Sequence, residues 1–390
     1  MVEATQRRPQ ASPDLTYLDE ASTAWPKAPG VVEAVAAALA SSPAGVAAEE
    51  GVARECRERL ARMLGVPDPD RIILTSGASH ALNLAIHGSG QPRRVGVIAS
   101  CADHAAALMP LYRLKQAKRV HLHIVGLDAA GQINAAAFGS FLDQGVRLVV
   151  LPHASHVTGR VFDVAPLFEQ ARSMGARTLL NAAQTFGEVP VHPEEIKADM
   201  VALSGHKRLR GPEGTGALYV APHISLAPSC VSGNGLPCRG GLHEQVLPID
   251  QRTAAAWLSP ADLAGLRAAL AWSAEAALPY RAQGWRLASL LRRGLRRISG
   301  LRVVGDAPRS CRLPIVAFTV LSRSPDEVVR ELARLGVWCA GGVLCAPLLH
   351  KALGTRPHGV VRLSLSGFNT EDQVRTALRM VRQVVAGTIR

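Results

Sequence analysis

The sequence predicts an α/β fold with a large, mostly parallel β-sheet followed by a smaller α+β domain. Seven apolar runs of strand length lie between residues 71 and 220, and helical stretches separate most of them. Such alternation is typical of a parallel sheet covered by helices on both faces, with ligands at the carboxyl ends of the strands. From residue 259 onward the order of helices and strands becomes irregular, which indicates a second domain.

The predicted elements of the large sheet follow one another in a regular order. A strand-like run at residues 17–23 and helices at 30–39 and 49–64 come first. The predicted strands of the sheet are residues 71–75, 94–100, 120–125, 147–151, 178–181, 200–204 and 216–220. The predicted helices between them are residues 79–86, 105–116, 135–142 and 164–174. Strands joined through helices in this way run parallel to one another.

After the last strand of the sheet the pattern changes. Residues 222–253 are rich in Gly and Pro, and we predict a long active-site or interface loop there. The predicted elements beyond it are helices at 263–277, 279–298, 325–335 and 370–386, and strands at 313–319, 337–339 and 360–365. We therefore divide the chain into an N-terminal arm that packs with the small domain (1–30), a large domain (31–255) and a small C-terminal domain (256–390).

The composition is that of a globular enzyme, with 48% hydrophobic residues in 390. The formal charge of +13 comes from arginines scattered along predicted helices, and 4% aromatic residues offer few platforms for base stacking, so nucleic-acid binding is disfavoured. The seven cysteines form no CxxC pair, and we assign no metal ligands. Since no apolar run has the length of a signal peptide core or a membrane span, we expect a cytoplasmic protein without membrane contact.

A lysine at the end of a buried strand is the feature around which the other candidate residues are arranged. Lys207 follows Ser204, Gly205 and His206, directly after the predicted strand 200–204. A pocket that desolvates a lysine and adds cationic neighbours lowers its pKa and makes it a better nucleophile toward an aldehyde. The hydroxyl, imidazole and backbone N–H groups beside it suit a phosphate. Pyridoxal phosphate is the simplest cofactor that requires both features.

Other strand ends carry turns that can complete such a site. Residues 75–79 (Thr-Ser-Gly-Ala-Ser) open a helix and place backbone N–H groups where a phosphate can bind, although the same turn also serves simply to cap a helix. His104 follows the second strand, where an imidazole either stacks on a planar ring or lies at the rim. Asn181 and Gln184 follow the fifth strand, where polar residues also serve merely to end it.

Taken in order, these turns match a known family. The segments that carry the match are 75–79 (TSGAS), 153–159 (HASHVTG), 182–184 (AAQ), 204–207 (SGHK), 211–216 (GPEGTG), 345–350 (CAPLLH), 361–364 (VRLS) and 369–370 (NT). Through them the chain, nearly end to end, resembles the class V aminotransferase family of fold-type I pyridoxal-phosphate enzymes, in its cysteine desulfurase and selenocysteine lyase-like branch. The resemblance implies pyridoxal 5'-phosphate as cofactor, an amino acid as substrate and a homodimer.

The resemblance also assigns roles to individual residues. It implies that Lys207 holds the cofactor in a Schiff base and moves the proton at the substrate α-carbon, and that the planar guanidinium of Arg362 binds the substrate α-carboxylate. It implies that His104 stacks on the ring and that Gln184 hydrogen-bonds its phenolic oxygen. Cys345 matches the family's mobile-loop cysteine, which accepts sulfur as a persulfide; a small core residue is the alternative. The implied cofactor-binding residues are Gly77, Ala78, Ser79, His104, Asn181, Gln184, Ser204, His206 and Lys207.

Two departures from the family lie beside the expected cofactor. Asn181 stands where the family has aspartate, whose charge keeps the ring nitrogen protonated; an amide supplies no charge, so the ring is expected to withdraw electrons less strongly. His156 replaces an asparagine on the substrate side. We list it as a candidate catalytic and substrate-binding residue, since an imidazole there can act as an acid or base near neutral pH, or can simply reshape the pocket.

The remaining departures lie around the substrate and the second subunit. The family's Gly-Thr element, whose threonine reaches the partner's phosphate, is expected near residues 251–259, where Thr253 is the one threonine. Leu344 precedes Cys345 where a histidine is common, and Glu20 replaces an asparagine in the N-terminal Leu-Asp-Asn run, which makes Glu20 a candidate substrate-binding residue. These changes suggest an altered substrate or reaction, for example in specialised metabolism.

The main hypothesis is therefore a homodimeric cysteine desulfurase-like C–S lyase that acts on L-cysteine or a cysteine-derived substrate and passes sulfur from Cys345 to an acceptor protein. A class V aminotransferase, β-eliminating lyase or epimerase with a non-catalytic Cys345 is the first alternative. The second alternative is a homologue that has lost catalysis and acts as a binding or scaffold subunit, motivated by Asn181 and the altered Gly-Thr element.

Overall fold

The chain forms two main β-sheets, each with its own hydrophobic core. A computed structural model describes residues 15–41, 46–89, 94–227, 258–305 and 312–387. The strands are β1 Thr16–Tyr17, β2 Ile72–Thr75, β3 Val95–Ser100, β4 Val120–Val125, β5 Val146–Pro152, β6 Arg177–Asn181, β7 Met200–Ser204, β8 Gly216–Val220, β9 Leu301–Val304, β10 Ile315–Val320, β11 Val337–Trp338, β12 Ala340–Gly342 and β13 Val360–Ser364. The helices are α1 Val31–Ala40, α2 Val46–Leu64, α3 Ala78–Gly88, α4 Ala105–Gln116, α5 Ala135–Leu142, α6 Ala165–Ser173, α7 Pro193–Ile196, α8 Pro260–Glu275, α9 Ala277–Leu295, α10 Pro325–Arg334, α11 Pro347–Ala352 and α12 Glu371–Ala386.

The larger sheet has seven strands in the order β2-β8-β7-β6-β5-β3-β4. β8 runs antiparallel to its neighbours β2 and β7, and the other four pairs are parallel. Every residue of β7 and β8 is buried, as expected for strands covered on both faces. The predicted seven-stranded, mostly parallel sheet is confirmed.

The smaller sheet is antiparallel, in the order β12-β13-β10-β9. Leu287 and Leu291 of α9, Phe318 of β10 and Val374 of α12 belong to its separate core. β9 was absent from the sequence prediction because its four residues are mostly half-exposed and carry no clear apolar alternation.

The N-terminal segment lies against the smaller sheet. β1 pairs in parallel with β11, and Asp19 forms a bridge with Ser364 at the end of β13. Residues 1–14 of the predicted arm and the predicted boundary at 255/256 fall outside the described residues, as does most of the predicted loop 222–253. The division into an arm and two domains therefore stays a prediction.

Within the described ranges of the chain, no helix combines the length and apolar character that a membrane span requires.

Candidate active site

Lys207 lies in the turn between β7 and β8, at the carboxyl edge of the large sheet. The turn is closed by backbone hydrogen bonds from Gly205 N–H to the Thr215 carbonyl and from Gly211 N–H to the Gly205 carbonyl, each 2.8 Å long. Gly205 is packed so tightly against Thr215 that a side chain there would overlap it. The local sequence thus fixes a compact turn that presents the Lys207 amine at the sheet edge.

The environment of Lys207 favours its neutral amine. Burial and the nearby guanidinium groups of Arg362 and Arg208 lower the pKa of Lys207 to about 8, and the carboxylate of Asp19 opposes them more weakly. The free amine fraction near neutral pH is therefore far larger than that of an ordinary lysine, as attack on an aldehyde requires.

Two histidines lie edge to face beside this lysine. The rings of His104 and His156 are 4.8 Å apart between centroids, with an angle of 73° between their planes. His104 caps α4, because its Nδ1 accepts a 2.9 Å hydrogen bond from Ala106 N–H. Burial, with Lys207 and Arg362, lowers the pKa of His104 to about 4, and burial lowers that of His156 well below its ordinary value. Both rings are neutral at physiological pH.

The predicted phosphate turn lies next to the lysine turn. Gly77 is the N-cap of α3 with φ +140°, and the N–H groups of Ala78 and Ser79 in the first turn have no partner within the helix. A Cβ on Gly216 would lie 2.6 Å from the Gly77 Cα, so glycine is required where β8 passes this turn. Ser204, at the end of β7, has a buried hydroxyl without a hydrogen-bond partner among the described residues.

His206 completes this side of the site. Its Nδ1 lies 3.1 Å from the Thr23 hydroxyl, which in turn donates to Glu213. Burial, with Lys207 and Lys27, lowers the pKa of His206 to about 4. The ring is therefore neutral and is held by the N-terminal segment.

The polar residues after β6 are held by specific hydrogen bonds. Asn181 donates from Nδ2 to Asp103 Oδ1 (2.8 Å), and its own Oδ1 accepts from Ala183 N–H (3.2 Å). Gln184 donates from Nε2 to the Ala21 carbonyl (2.8 Å), while its Oε1 is buried without a partner among the described residues. The second Nε2 hydrogen of Gln184 remains available to a phenolic oxygen.

Arg362, in β13, reaches the site from the smaller sheet. Its Nη2 donates to Asp19 Oδ1 and to Ser22 Oγ, each at 2.7 Å, and its Nη1 donates to the His156 carbonyl at 2.9 Å. Its Nε is buried and has no hydrogen-bond partner in the described part of the chain. The guanidinium is thus fixed in orientation with its Nε donor unused.

The loop that carries Cys345 is bound to the histidine pair. His156 Nε2 lies 2.8 Å from the Leu344 carbonyl, which can only accept, so this nitrogen carries the ring proton. Ala105 N–H, next to His104, donates to the Cys345 carbonyl at 3.0 Å. Leu344 and Cys345 have φ of +49° and +56°. Cys345 is exposed, whereas the nearby Cys339 is shielded and burial raises its thiol pKa to about 12.

Two candidate residues, Glu20 and Thr253, came from positions where the sequence departs from the family pattern. Glu20 is 1% exposed; its carboxylate oxygens accept from Arg210 at 3.0 and 3.1 Å and from Ser366 at 3.0 Å. This buried ion pair joins the N-terminal segment to the lysine turn and leaves Glu20 committed to structure, so its substrate-binding role stays a prediction that the geometry does not favour. Thr253 lies outside the described residues.

Sequence reasoning missed two charged residues of the site. Arg208 was not among the predicted site residues, but it is buried, lies 3.7 Å from Glu188 and lowers the Lys207 pKa. Asp103 is buried behind Asn181. The available signal for Asp103 was its place directly before His104 at the end of an apolar strand.

The donors present fit pyridoxal phosphate. A helix N-terminus and the unpartnered Ser204 hydroxyl suit the phosphate, and the unpartnered Gln184 amide oxygen marks a polar position beside the ring site. An amine with a lowered pKa lies between two neutral imidazoles and a fixed guanidinium. Buried polar atoms without partners require explanation, and a polar ligand supplies it.

Comparisons with known proteins agree with this geometry. The chain is 29% identical over 347 residues to a cysteine desulfurase of Sinorhizobium fredii, with 84% of each chain covered. It is 28% identical over 340 residues to a probable cysteine desulfurase of Mycolicibacterium paratuberculosis, and here the match covers 85% of the chain but only 49% of the longer relative.

Solved structures of cysteine desulfurases also match this chain over most of its length. The apo structure of a cysteine desulfurase from Thermococcus onnurineus matches with a TM-score of 0.88 at 25% identity, covering 96% of this chain and 95% of that one. The cysteine desulfurase CsdA of Escherichia coli matches with a TM-score of 0.85 at 25% identity, covering 98% and 97%. The family model described as aminotransferase class-V matches residues 16–376. The chain therefore belongs to the class V aminotransferase family.

Proposed function

We propose that this protein is a pyridoxal-phosphate-dependent cysteine desulfurase that removes sulfur from L-cysteine or a cysteine-derived substrate and carries it on Cys345. The observation that carries the proposal is the attachment of the Cys345 loop to the histidine pair beside Lys207. An exposed thiol and an amine of lowered pKa thereby border the same site. The cysteine desulfurases among its relatives support the same assignment.

Residues from four strand ends would hold the cofactor. Gly77, Ala78, Ser79, Ser204 and His206 would bind its phosphate, His104 would lie on its ring, and Asn181 and Gln184 would contact the ring's polar atoms. Bound pyridoxal phosphate would supply an aldehyde for covalent attachment to Lys207 and a ring that withdraws electrons from the substrate α-carbon.

The chain's own residues would orient the substrate and move its proton. Arg362, held by Asp19 and Ser22, would use its free Nε and exchange its Nη contacts to bind the α-carboxylate. Lys207 would take the proton from the substrate α-carbon and return it, because its lowered pKa suits transfer in both directions near neutral pH.

Cys345 would accept the sulfur. Its thiolate attacks the substrate sulfur, an S–S bond forms and the C–S bond breaks. The electron pair of the broken bond stays with the substrate carbon, which takes up a proton and leaves as alanine when cysteine is the substrate. The persulfide on Cys345 is then passed to a thiol of an acceptor protein or reduced to sulfide. Cys345 is exposed, and both Leu344 and Cys345 have positive φ in the turn that carries the thiol.

A second candidate function keeps the cofactor but not the thiol step. The Asn181 carboxamide carries no charge where the family has aspartate, and this departure suggests an altered reaction. The candidate is a class V aminotransferase, β-eliminating lyase or epimerase with a non-catalytic Cys345. In that case alanine and sulfide would not form together from cysteine. We further propose a homodimer, as the family resemblance implies, and a cytoplasmic location, as the absence of a long apolar run in the sequence suggests.

The experiment is to incubate purified protein with L-cysteine and a reductant and to measure alanine, sulfide and the visible absorbance band of bound cofactor. The proposal expects equal amounts of alanine and sulfide, and a band that disappears in Lys207→Ala. A Lys207-dependent band without joint formation of alanine and sulfide would redirect the assignment to the second candidate. The absence of a band after addition of cofactor would contradict both and favour a binding or scaffold role.

A further inference from the structure

We infer that Asp103, acting through the Asn181 carboxamide, supplies the negative charge that stabilises a protonated ring nitrogen of the cofactor. The inference rests on the proposed pyridoxal phosphate site but not on the identity of the substrate. It assigns a positioning role to a residue that the family resemblance did not single out.

The contact between the two side chains is direct and fully enclosed. Asp103 follows β3 and is 0% exposed, and its Oδ1 accepts from Asn181 Nδ2 at 2.8 Å and from His104 N–H at 2.7 Å. Its second oxygen, Oδ2, is buried without a hydrogen-bond partner among the described residues. Asp103 therefore contacts both residues that border the ring position, Asn181 and His104.

The contact also fixes which way the carboxamide points. A carboxylate oxygen accepts and cannot donate, so the amino group of Asn181 must face Asp103. Asn181 Oδ1 then lies on the other side, accepts from Ala183 N–H and keeps one lone pair for a further donor. A negative charge behind the amino group polarises the amide and strengthens its oxygen as an acceptor. A protonated ring nitrogen is a donor that matches this oxygen.

Among the residues that the structure describes, no cationic side chain contacts Asp103. Burial raises the pKa of Asp103 to about 7 and outweighs the hydrogen bonds from Asn181 and the His104 backbone. The backbone N–H of His104 donates to Asp103, and the backbone N–H of His153 donates to the Asn181 carbonyl. Burial lowers the pKa of both imidazole rings to about 4, so neither ring supplies a positive charge at neutral pH. An uncompensated buried carboxylate is costly, and a cationic ligand opposite the amide would lower that cost.

In this arrangement, asparagine at position 181 does not remove the negative charge from the site of the ring nitrogen. The carboxylate that the family places against the ring is here moved one side chain deeper, and the amide connects it to the ring. Returning aspartate to position 181 alone would set two carboxylates 2.8 Å apart, so that one of them holds a proton and little charge is gained.

The test compares cofactor affinity in three isosteric variants of the whole chain: Asp103→Asn, Asn181→Asp, and the swap that carries both. Dissociation constants for pyridoxal phosphate are measured by titration of apo-protein, and melting temperatures of the apo-proteins establish that each variant folds. Asp199→Asn is the matched control, because Asp199 is also buried but is hydrogen-bonded to Thr178 at the opposite end of the sheet.

We expect Asp103→Asn to bind the cofactor about tenfold more weakly, as loss of a charge-assisted contact implies. The swap should restore affinity to near that of the wild type, since it returns one carboxylate to the pair and keeps a donor between the two positions. Asn181→Asp alone should gain little, and Asp199→Asn should not change affinity.

Equal affinity of Asp103→Asn and wild type, or a swap as weak as Asp103→Asn, would overturn the inference while leaving the proposed function intact. Cofactor binding with the expected pattern but no sulfide from cysteine would support the inference and overturn the desulfurase assignment. No cofactor binding by the wild type would overturn both.

Discussion

Lys207 is set apart from an ordinary lysine by the residues packed around it. Two buried guanidinium groups, Arg208 and Arg362, face an amine that is itself removed from water, and both effects disfavour the ammonium form. Asp19, which opposes them, is also bound to Arg362, so its charge is largely compensated. In the protein without a ligand, a larger fraction of the Lys207 amine is therefore neutral and able to attack an aldehyde.

The rate at which Lys207 reacts with the aldehyde of pyridoxal phosphate should depend on pH through the pKa of the Lys207 amine. Because only the neutral amine attacks the aldehyde, the rate is expected to rise about tenfold per pH unit below pH 8 and to level off above it. Stopped-flow absorbance of apo-protein mixed with pyridoxal phosphate measures this profile. A midpoint near 10.5, that of an ordinary lysine, would show that the surrounding charges do not act as described.

Asp103 is one of the two charged site residues that sequence reasoning missed, and its contact with Asn181 could not be predicted. Its partner, Asn181, lies 78 residues further along the chain, and only the fold brings the two strand ends together. Lys207, Arg362 and Cys345 could be named because each lies within a recognisable run of residues. Glu20 could be noticed as unusual, but its pairing with Arg210 depends on packing between distant segments.

At the scale of an element, the Cys345 loop is held by two backbone contacts. His156 donates to the Leu344 carbonyl and Ala105 to the Cys345 carbonyl. We therefore propose that the His156 side chain anchors the loop, since its Nε2 is occupied by the Leu344 carbonyl and burial keeps the ring neutral. Its role as an acid or base stays a prediction.

Replacing His156 should loosen this loop without disturbing the cofactor. His156→Phe keeps an aromatic ring against His104 but removes the donor, so cysteine turnover is expected to fall about fivefold, the value of one net hydrogen bond. Amide hydrogen exchange should become faster in the loop, and cofactor affinity should stay unchanged. His123→Phe, at a histidine that packs on Phe141 outside the site, is the control. Unchanged exchange in the loop would contradict the anchoring role.

The junction of α3 and β8 depends on close backbone contact. In Gly216→Ala the added methyl would lie 2.6 Å from the Gly77 Cα and push the phosphate turn away. We expect a loss of about 1–3 kcal/mol in the free energy of unfolding, typical of overpacking, and weaker cofactor binding. Gly126→Ala, where the Cβ has open space, is the control. Denaturant titration and cofactor titration measure the two effects, and equal stability of both variants would refute the packing argument.

At the scale of the whole molecule, most of the large sheet could be predicted. β7 and β8 have the predicted bounds, because each is a mostly apolar, fully buried run between polar turns. β4 also has the predicted bounds, although His121 and His123 interrupt its apolar residues. β9 could not be predicted, since its four residues, Leu-Arg-Val-Val, are too few to show a clear apolar alternation. Patterns of hydrophobicity therefore reveal strands of five or more mostly apolar residues well and short, partly exposed strands poorly.

The buried ionisable groups predict how stability depends on pH. The folded-state pKa values of His104, His153 and His206 are lowered to about 4, so protonation of the unfolded chain destabilises the apo-protein as the pH falls from about 6.5 to 4. Asp103 acts in the opposite direction, because its raised pKa contributes stability at low pH that is lost as the pH rises through 7.

Three histidines outweigh one aspartate, so the apo-protein should lose stability on acidification between pH 6.5 and 4. Asp103→Asn removes the opposing contribution and should make this loss steeper. Denaturant unfolding at several pH values compares the two proteins. Identical slopes would show that Asp103 titrates as an ordinary carboxyl.

The most direct test of the central claim compares Cys345→Ala with Cys339→Ala under single-turnover conditions with L-cysteine. Cys345 is exposed on the loop beside Lys207, whereas burial raises the pKa of the Cys339 thiol to about 12 and leaves it a weak nucleophile. The account predicts that Cys345→Ala keeps the visible cofactor band but forms neither persulfide nor alanine, while Cys339→Ala forms both. Full formation of alanine and sulfide by Cys345→Ala would contradict the account.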